Sequence, residues 1–126
     1  MPLVIRSVVV VALALLAVPA IALPPFSLQW KAKYVAGSKD DAFKKAVTTA
    51  NCNVCHDPAS KSKKDHNVYG KAVKKFLTKA DYDKIKTDLE AAKKYILDGL
   101  EKAEAEKAAD GKTYGDKLKE GKLPGA

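Results

Sequence analysis

Apolar residues recur at helical spacing in three stretches of the chain, separated by polar clusters. Phe43, Val47 and Ala50 follow at steps of four and three, which puts them on one face of a helix. Asp40 or Ser38 can cap its start, and Asp41 suits the positive end of the helix dipole. This helix runs straight into residue 52. Pro58 ends any continuation, because the residue before a proline avoids the α region. Residues 59–67 read as a polar, lysine-rich loop. A second helix is expected from about Asn67 to Leu77, with Tyr69, Val73, Phe76 and Leu77 inward. The third is the longest, with Tyr82, Ile85, Leu89, Ala92, Ile96 and Leu100 at steps of three and four. Thr78-Lys79-Ala80-Asp81 before it resembles a shortened capping box.

Beyond Leu100 only alanines and charges follow, as far as Asp110. The pairs Glu90–Lys94 and Glu104–Lys107 support the helix by about 0.2–0.5 kcal/mol each. Gly111 is a natural residue to follow a helix end. Residues 113–118 offer one more turn, docking Tyr114 and Leu118. No convincing alternation of apolar and polar residues appears after residue 40. The expected fold class is all-α, with three to four helices.

The first 22 residues differ from the rest. Arg6 is their only charge, Val8 to Val18 is unbroken apolar sequence, and Ala20-Ile21-Ala22 is a small-x-small site. That is the layout of a signal peptide cleaved after Ala22, which predicts a periplasmic or otherwise exported protein. The competing reading is a retained anchor, and only then would the protein meet a membrane. A spanning helix needs about 20 apolar residues, and extending this run to Phe26 takes in Pro19, Pro24 and Pro25. Residues 23–38 read as an extended lead-in, although the spacing of Trp30 and Tyr34 also permits one helical turn. Residues 39–126 form the domain, and 126 residues leave room for only one.

Cleavage would remove only Arg6 of the 23 basic side chains. The remaining 22 face 15 acidic ones, a balance of +7. Nucleic-acid binding suits a basic chain, but export and the lack of interleaved aromatic and basic residues count against it. Three Phe and one Trp make a thin interior. Burying a large apolar group would help, at about 25 cal/mol per Å².

The chemistry lies in Asn51-Cys52-Asn53-Val54-Cys55-His56, which holds the only two cysteines. C-x-x-C-H is the attachment sequence of c-type haem. Two thiols one turn apart can add to the two vinyl groups of a porphyrin, and His56 can then bind iron from the proximal side. Three other readings stand beside it. An exported C-x-x-C can close as a disulfide. A thioredoxin-type pair would need a strand before it. A zinc site could draw on Cys52, Cys55 and His56 or His66, although adjacent Cys55 and His56 are awkward ligands for one tetrahedral ion. A hydrolase lacks support, since Ser60 and Ser62 have no base and orienting group, and no enzymatic activity is expected.

With these residues in view, the chain resembles small exported single-haem c-type cytochromes. Within that group it is similar to bacterial proteins carrying C-N-V-C-H, a lysine-rich loop, N-x-Y-G and a G-K-L-P tail. Here these are Cys52 to His56, Lys61 to Lys64, Asn67-Val68-Tyr69-Gly70 and Gly121-Lys122-Leu123-Pro124. The resemblance covers about residues 40 to 126 and implies one covalent haem c per chain and an electron-transfer role. The chain departs from the familiar class I pattern in lacking the usual distal methionine, because Met1 is the only methionine and is expected to leave with the signal.

His66, the only other histidine, is the candidate distal ligand. The ten-residue segment from His56 can span at most about 33–36 Å, enough to reach the opposite face of a haem. If His66 binds, the iron suits outer-sphere electron transfer. If it does not, the site can take NO or CO, as in a haem-based ligand-binding or sensor protein. Phe43, Val47, Tyr69, Val73 and Phe76 are candidates for a haem-facing wall. Lys61, Lys63, Lys64, Lys71, Lys74 and Lys75 are either a solvated face or a positive rim steering a redox partner with an acidic docking surface.

Overall fold

Pro24 and Pro25 open a helix. In this computed structural model, which describes residues 24–60 and 65–126, α1 spans Pro24–Tyr34. Prolines are tolerated in a first turn, where backbone N–H groups have no helical partner. Phe26, Trp30 and Tyr34 recur at steps of four. Trp30 is buried, and the Phe26 ring meets Tyr82 edge-on at 5.4 Å. This corrects the extended lead-in over residues 23–38: from Pro24 it is a helix with an aromatic stripe, and it belongs to the core.

The second helix, α2, spans Asp41–Ala50. Its cap is Asp40, whose carboxylate accepts a hydrogen bond from the Phe43 N–H at 3.0 Å. Phe43 and Val47 are buried as the periodicity requires. A 3₁₀ turn, Asn51–Val54, follows directly. Then α3 spans Val68–Lys74, capped by Asn67, with Tyr69 and Ala72 buried. Leu77 is buried beyond its end, while Phe76 is only half-buried.

The long third helix expected from the pattern is two helices. α4 spans Lys79–Ile85 and α5 spans Leu89–Glu104. Asp88 stands between them, extended, with its side chain accepting from the Ala91 N–H. A capping aspartate restarts the ladder here because nothing apolar holds the junction: Leu89, counted in the periodic stripe, is 79 % exposed. At the other end α5 continues past Leu100, because Ala103 is completely buried. Lys94 pairs with Asp98 at 2.5 Å, not with Glu90, and Glu104 turns to Lys33 and Tyr34.

Gly111 lies in a turn after α5, with φ of 84°, and closes the loop through Ala108 and Lys112. The last helix, α6, spans Tyr114–Lys119 and opens with a full capping box between Thr113 and Asp116. Tyr114 docks as expected, and Leu118 packs partly against the core.

Helix α5 is the hub, and α1, α3, α4 and α6 all pack on it. Gly99 lets Leu77 close on α5, since a Cβ there would come within 2.5 Å of the Leu77 Cγ. The result is an all-α fold with six helices among the described residues, more than the three to four anticipated. The shortfall came from α1 and from the break at Asp88. No strand occurs among the described residues, only isolated bridges at His56–His66 and Lys107–Thr113. No described helix is long and apolar enough to cross a membrane. The expected signal peptide, residues 1–22, lies outside the described residues.

Candidate haem-attachment site

The two cysteines sit on a single tight turn. Where α2 ends, Asn51 takes a φ of 48°, a conformation asparagine tolerates better than most side chains. The chain then coils so that the Cys52 carbonyl accepts from both the Cys55 N–H at 3.3 Å and the His56 N–H at 3.0 Å. Val54, between the cysteines, is buried and anchors the turn to the core. Neither cysteine is in a disulfide, and as whole residues both are half-buried. The spacing therefore sets two thiols and an imidazole along one turn, as C-x-x-C-H requires.

Asn67 fixes this turn from the other side. Its backbone N–H donates to the Cys55 carbonyl at 2.9 Å. Its side-chain amide donates to the carbonyls of Asn53, at 3.0 Å, and Val54, at 2.9 Å. Its side-chain oxygen accepts from the Gly70 N–H at 2.8 Å. One residue thus caps α3 and clamps the motif. Gly70 permits the approach: a Cβ there would overlap the Cys55 carbonyl oxygen and lie 2.9 Å from its carbon. Gly125 backs the clamp, since a Cβ at that position would come within 2.6 Å of the Asn67 Cγ. Pro124 beside it is fully buried. Three separated segments, the cysteine motif, Asn67 to Gly70 and the C-terminal tail, therefore converge on one place.

The His56 ring is oriented by a second contact. Its Nδ1 lies 3.1 Å from the Asp65 carbonyl oxygen. A carbonyl only accepts, so Nδ1 carries the proton and Nε2 keeps its lone pair. That is the arrangement a metal-binding histidine needs. Asp65 also ties the loop together, accepting from the Asp57 N–H at 3.2 Å and the Ser60 hydroxyl at 2.6 Å.

His66 is brought directly against His56. Their rings stack with centroids 4.6 Å apart and planes at 30°. If His56 held a haem iron, a ring stacked on the face of that imidazole would not also be placed to bind the metal. Distal ligation by His66 requires the two rings to separate.

Burial, with the neighbouring Cys52 thiol adding to it, pushes the Cys55 thiol up to about 12. A raised value favours the neutral thiol in the folded chain. Its contribution to stability is complete below the ordinary thiol range and is lost as pH rises through about 12. In the chain without attached haem, iodoacetamide should therefore modify Cys55 slowly at pH 8 and speed up only in strong alkali. Peptide mapping by mass spectrometry reads this directly, and rapid labelling at pH 8 would contradict the packing of the turn.

The remaining sequence-predicted residues are placed as follows. Phe43, Val47 and Tyr69 lie in the core with Trp30, Val73 packs partly against it, and Phe76 is half-buried. Lys71 and Lys74 are exposed on α3, and Lys75 pairs with Glu106 at 2.6 Å. Lys61, Lys63 and Lys64 lie outside the described residues. No group of three or more His, Cys, Asp or Glu positioned for a metal ion occurs among the described residues, which gives the zinc reading no structural support. Two surface depressions, of about 230 and 420 Å³, are lined by other residues and include neither the cysteines nor the histidines.

Asn67 as a clamp and Gly70 as a contact emerge only with the fold. An N-capping residue followed by a glycine inside a short helix was the available signal. No protein-family model, curated protein or solved structure matches the chain.

Proposed function

We propose that this protein is an exported, single-haem c-type electron carrier. In this reading Cys52 and Cys55 hold the porphyrin by thioether links and His56 binds the iron. The donor set fits: two thiols share one turn, and the imidazole after them presents a free Nε2. The observation that carries the reading is the hydrogen bond from His56 Nδ1–H to the Asp65 carbonyl, which sets the tautomer and aim of the ring. When bound, haem supplies reversible one-electron chemistry at iron, tuned by its axial ligands and burial. The chain's part is to fix the turn through Asn67, orient His56 through Asp65, and present positive charge nearby through Lys71 and Lys74.

The test is an optical spectrum of the purified exported protein, oxidised, reduced and with CO, together with its intact mass. A covalent haem predicts colour that survives acid extraction and a mass one haem above the processed chain. A colourless extract and a bare mass, with maturation machinery coexpressed, would overturn the assignment.

One observation favours a second reading at the sixth position. His66 stacks on His56 and would reach a bound iron only if the rings part; without it, a bound haem would be able to take CO or NO. Rapid CO binding and a high-spin ferric EPR signal would support the ligand-binding protein. A low-spin signal lost in His66→Ala would support bis-histidine ligation and electron transfer.

Lys71 and Lys74 lead to a further expectation. Electron transfer to an acidic partner should slow as salt rises from 10 mM to 0.5 M, because screening shortens the reach of exposed charge to a few Å. Stopped-flow rates indifferent to salt would remove these lysines from partner docking.

A further inference from the structure

Tyr69, Trp30 and Tyr34 form an unbroken aromatic line from beside the cysteine turn to the surface. Tyr69 is completely buried, and its oxygen accepts the indole N–H of Trp30 at 2.9 Å. The Trp30 ring lies 5.2 Å from that of Tyr34. The Tyr34 hydroxyl in turn donates a short hydrogen bond to Glu104 Oε1. Lys33 Nζ lies 3.5 Å from the same carboxylate oxygen and balances its charge. Tyr34 and Glu104 open on the depression of about 420 Å³, so the line ends at solvent.

The three residues differ in what they can do when an electron is removed. The indole can lose one electron and keep its N–H, because the phenol oxygen it donates to is a weak base. A phenol loses an electron readily only if its proton leaves too, and this requires a base within hydrogen-bond reach. Tyr34 has one in Glu104, whereas Tyr69 accepts from Trp30 and faces no carboxylate hydrogen bond. Burial and the hydrogen bond to Glu104 push the Tyr34 phenol far above its ordinary range, so it is protonated until the electron leaves.

We propose that Tyr34 is a redox-active tyrosine that drains oxidising equivalents from Trp30, with Glu104 as its proton acceptor. A one-electron oxidant, such as a small inorganic radical, removes an electron from Trp30 and leaves the indole radical cation. One electron then passes from Tyr34 to Trp30, and the phenolic proton passes to Glu104. The result is a neutral phenoxyl radical, a carboxylic acid and a restored indole. A water-soluble one-electron reductant then restores the phenol by giving its electron to the phenoxyl radical, while Glu104 returns the proton. Lys33, 5.5 Å from the centre of the Tyr34 ring, opposes a cationic phenol but not the neutral radical.

The chain has a single tryptophan, which makes the test clean. Laser photoionisation of the indole generates the Trp30 radical, and transient absorption follows its decay and the growth of phenoxyl. The purified full chain should show matched decay and growth, slowed in D₂O. Tyr34→Phe, which keeps the ring packing but has no phenolic proton to give up, should lower the transfer rate at least about tenfold. Glu104→Gln, which removes the proton acceptor, should slow it, while Tyr69→Phe should leave transfer to Tyr34 in place. An unchanged phenoxyl signal in Tyr34→Phe, or no transfer in the unmodified chain, would overturn the proposal. Repeating the measurement on Cys52→Ser/Cys55→Ser, which cannot attach haem, separates this result from the fate of the haem assignment.

Discussion

Replacing Gly70 with alanine should cost about 3 kcal/mol of stability, at the upper end for overpacking. The added methyl would overlap the Cys55 carbonyl oxygen and crowd the His66 Cβ at 3.0 Å. The Cys55 carbonyl is backbone and cannot rotate away, because it accepts the Asn67 N–H. α3 must therefore move off the turn, and the bonds from Asn67 to Asn53 and Val54 stretch with it. For a domain of this size the melting temperature should fall by about 12–24 °C. Gly37→Ala is the control, since a methyl there meets nothing within 4 Å, and it should change stability by no more than about 0.5 kcal/mol. Thermal denaturation followed by circular dichroism measures both. A Gly70→Ala protein melting like its parent would mean that α3 does not rest on the motif.

The largest functional effect is expected from Cys52→Ser/Cys55→Ser. Without either sulfur no thioether can form, so the acid-extracted chain should be colourless and its mass that of the processed polypeptide. Each single change, Cys52→Ala or Cys55→Ala, should leave a weakened attachment and some haem. His56→Ala should impair loading by removing the imidazole that Asp65 orients. The helices should survive the double change, because serine is close to cysteine in size and neither cysteine is in a disulfide. Covalent haem persisting in the double variant would place its attachment elsewhere and refute the site.

Periodicity revealed α2 and α3 because their apolar residues face one continuous core. Asp40 and Thr78 were legible as caps for the same reason that they work: a short polar side chain can reach back to free N–H groups. The long stripe from Tyr82 to Leu100 misled at Leu89, where spacing alone cannot distinguish a buried leucine from one that is 79 % exposed. Residues 24–34 were obscured by two prolines, which break a helix interior but open a first turn. At the site, Cys52, Cys55 and His56 were legible because their chemistry needs adjacent positions. The stacking of His56 with His66, and the contact of Asn67 with Gly125, depend on chain paths that no local pattern encodes.

Because α1 opens at Pro24, the proposed cleavage after Ala22 would fall just ahead of the helix. A peptidase cutting after Ala22 would leave the helix whole. Trimming that strays past Trp30 would amputate the indole that fills the space between Tyr69 and Tyr34. If the protein is processed at its N-terminus, the integrity of its interior would then limit how far trimming can go, through a single buried aromatic side chain.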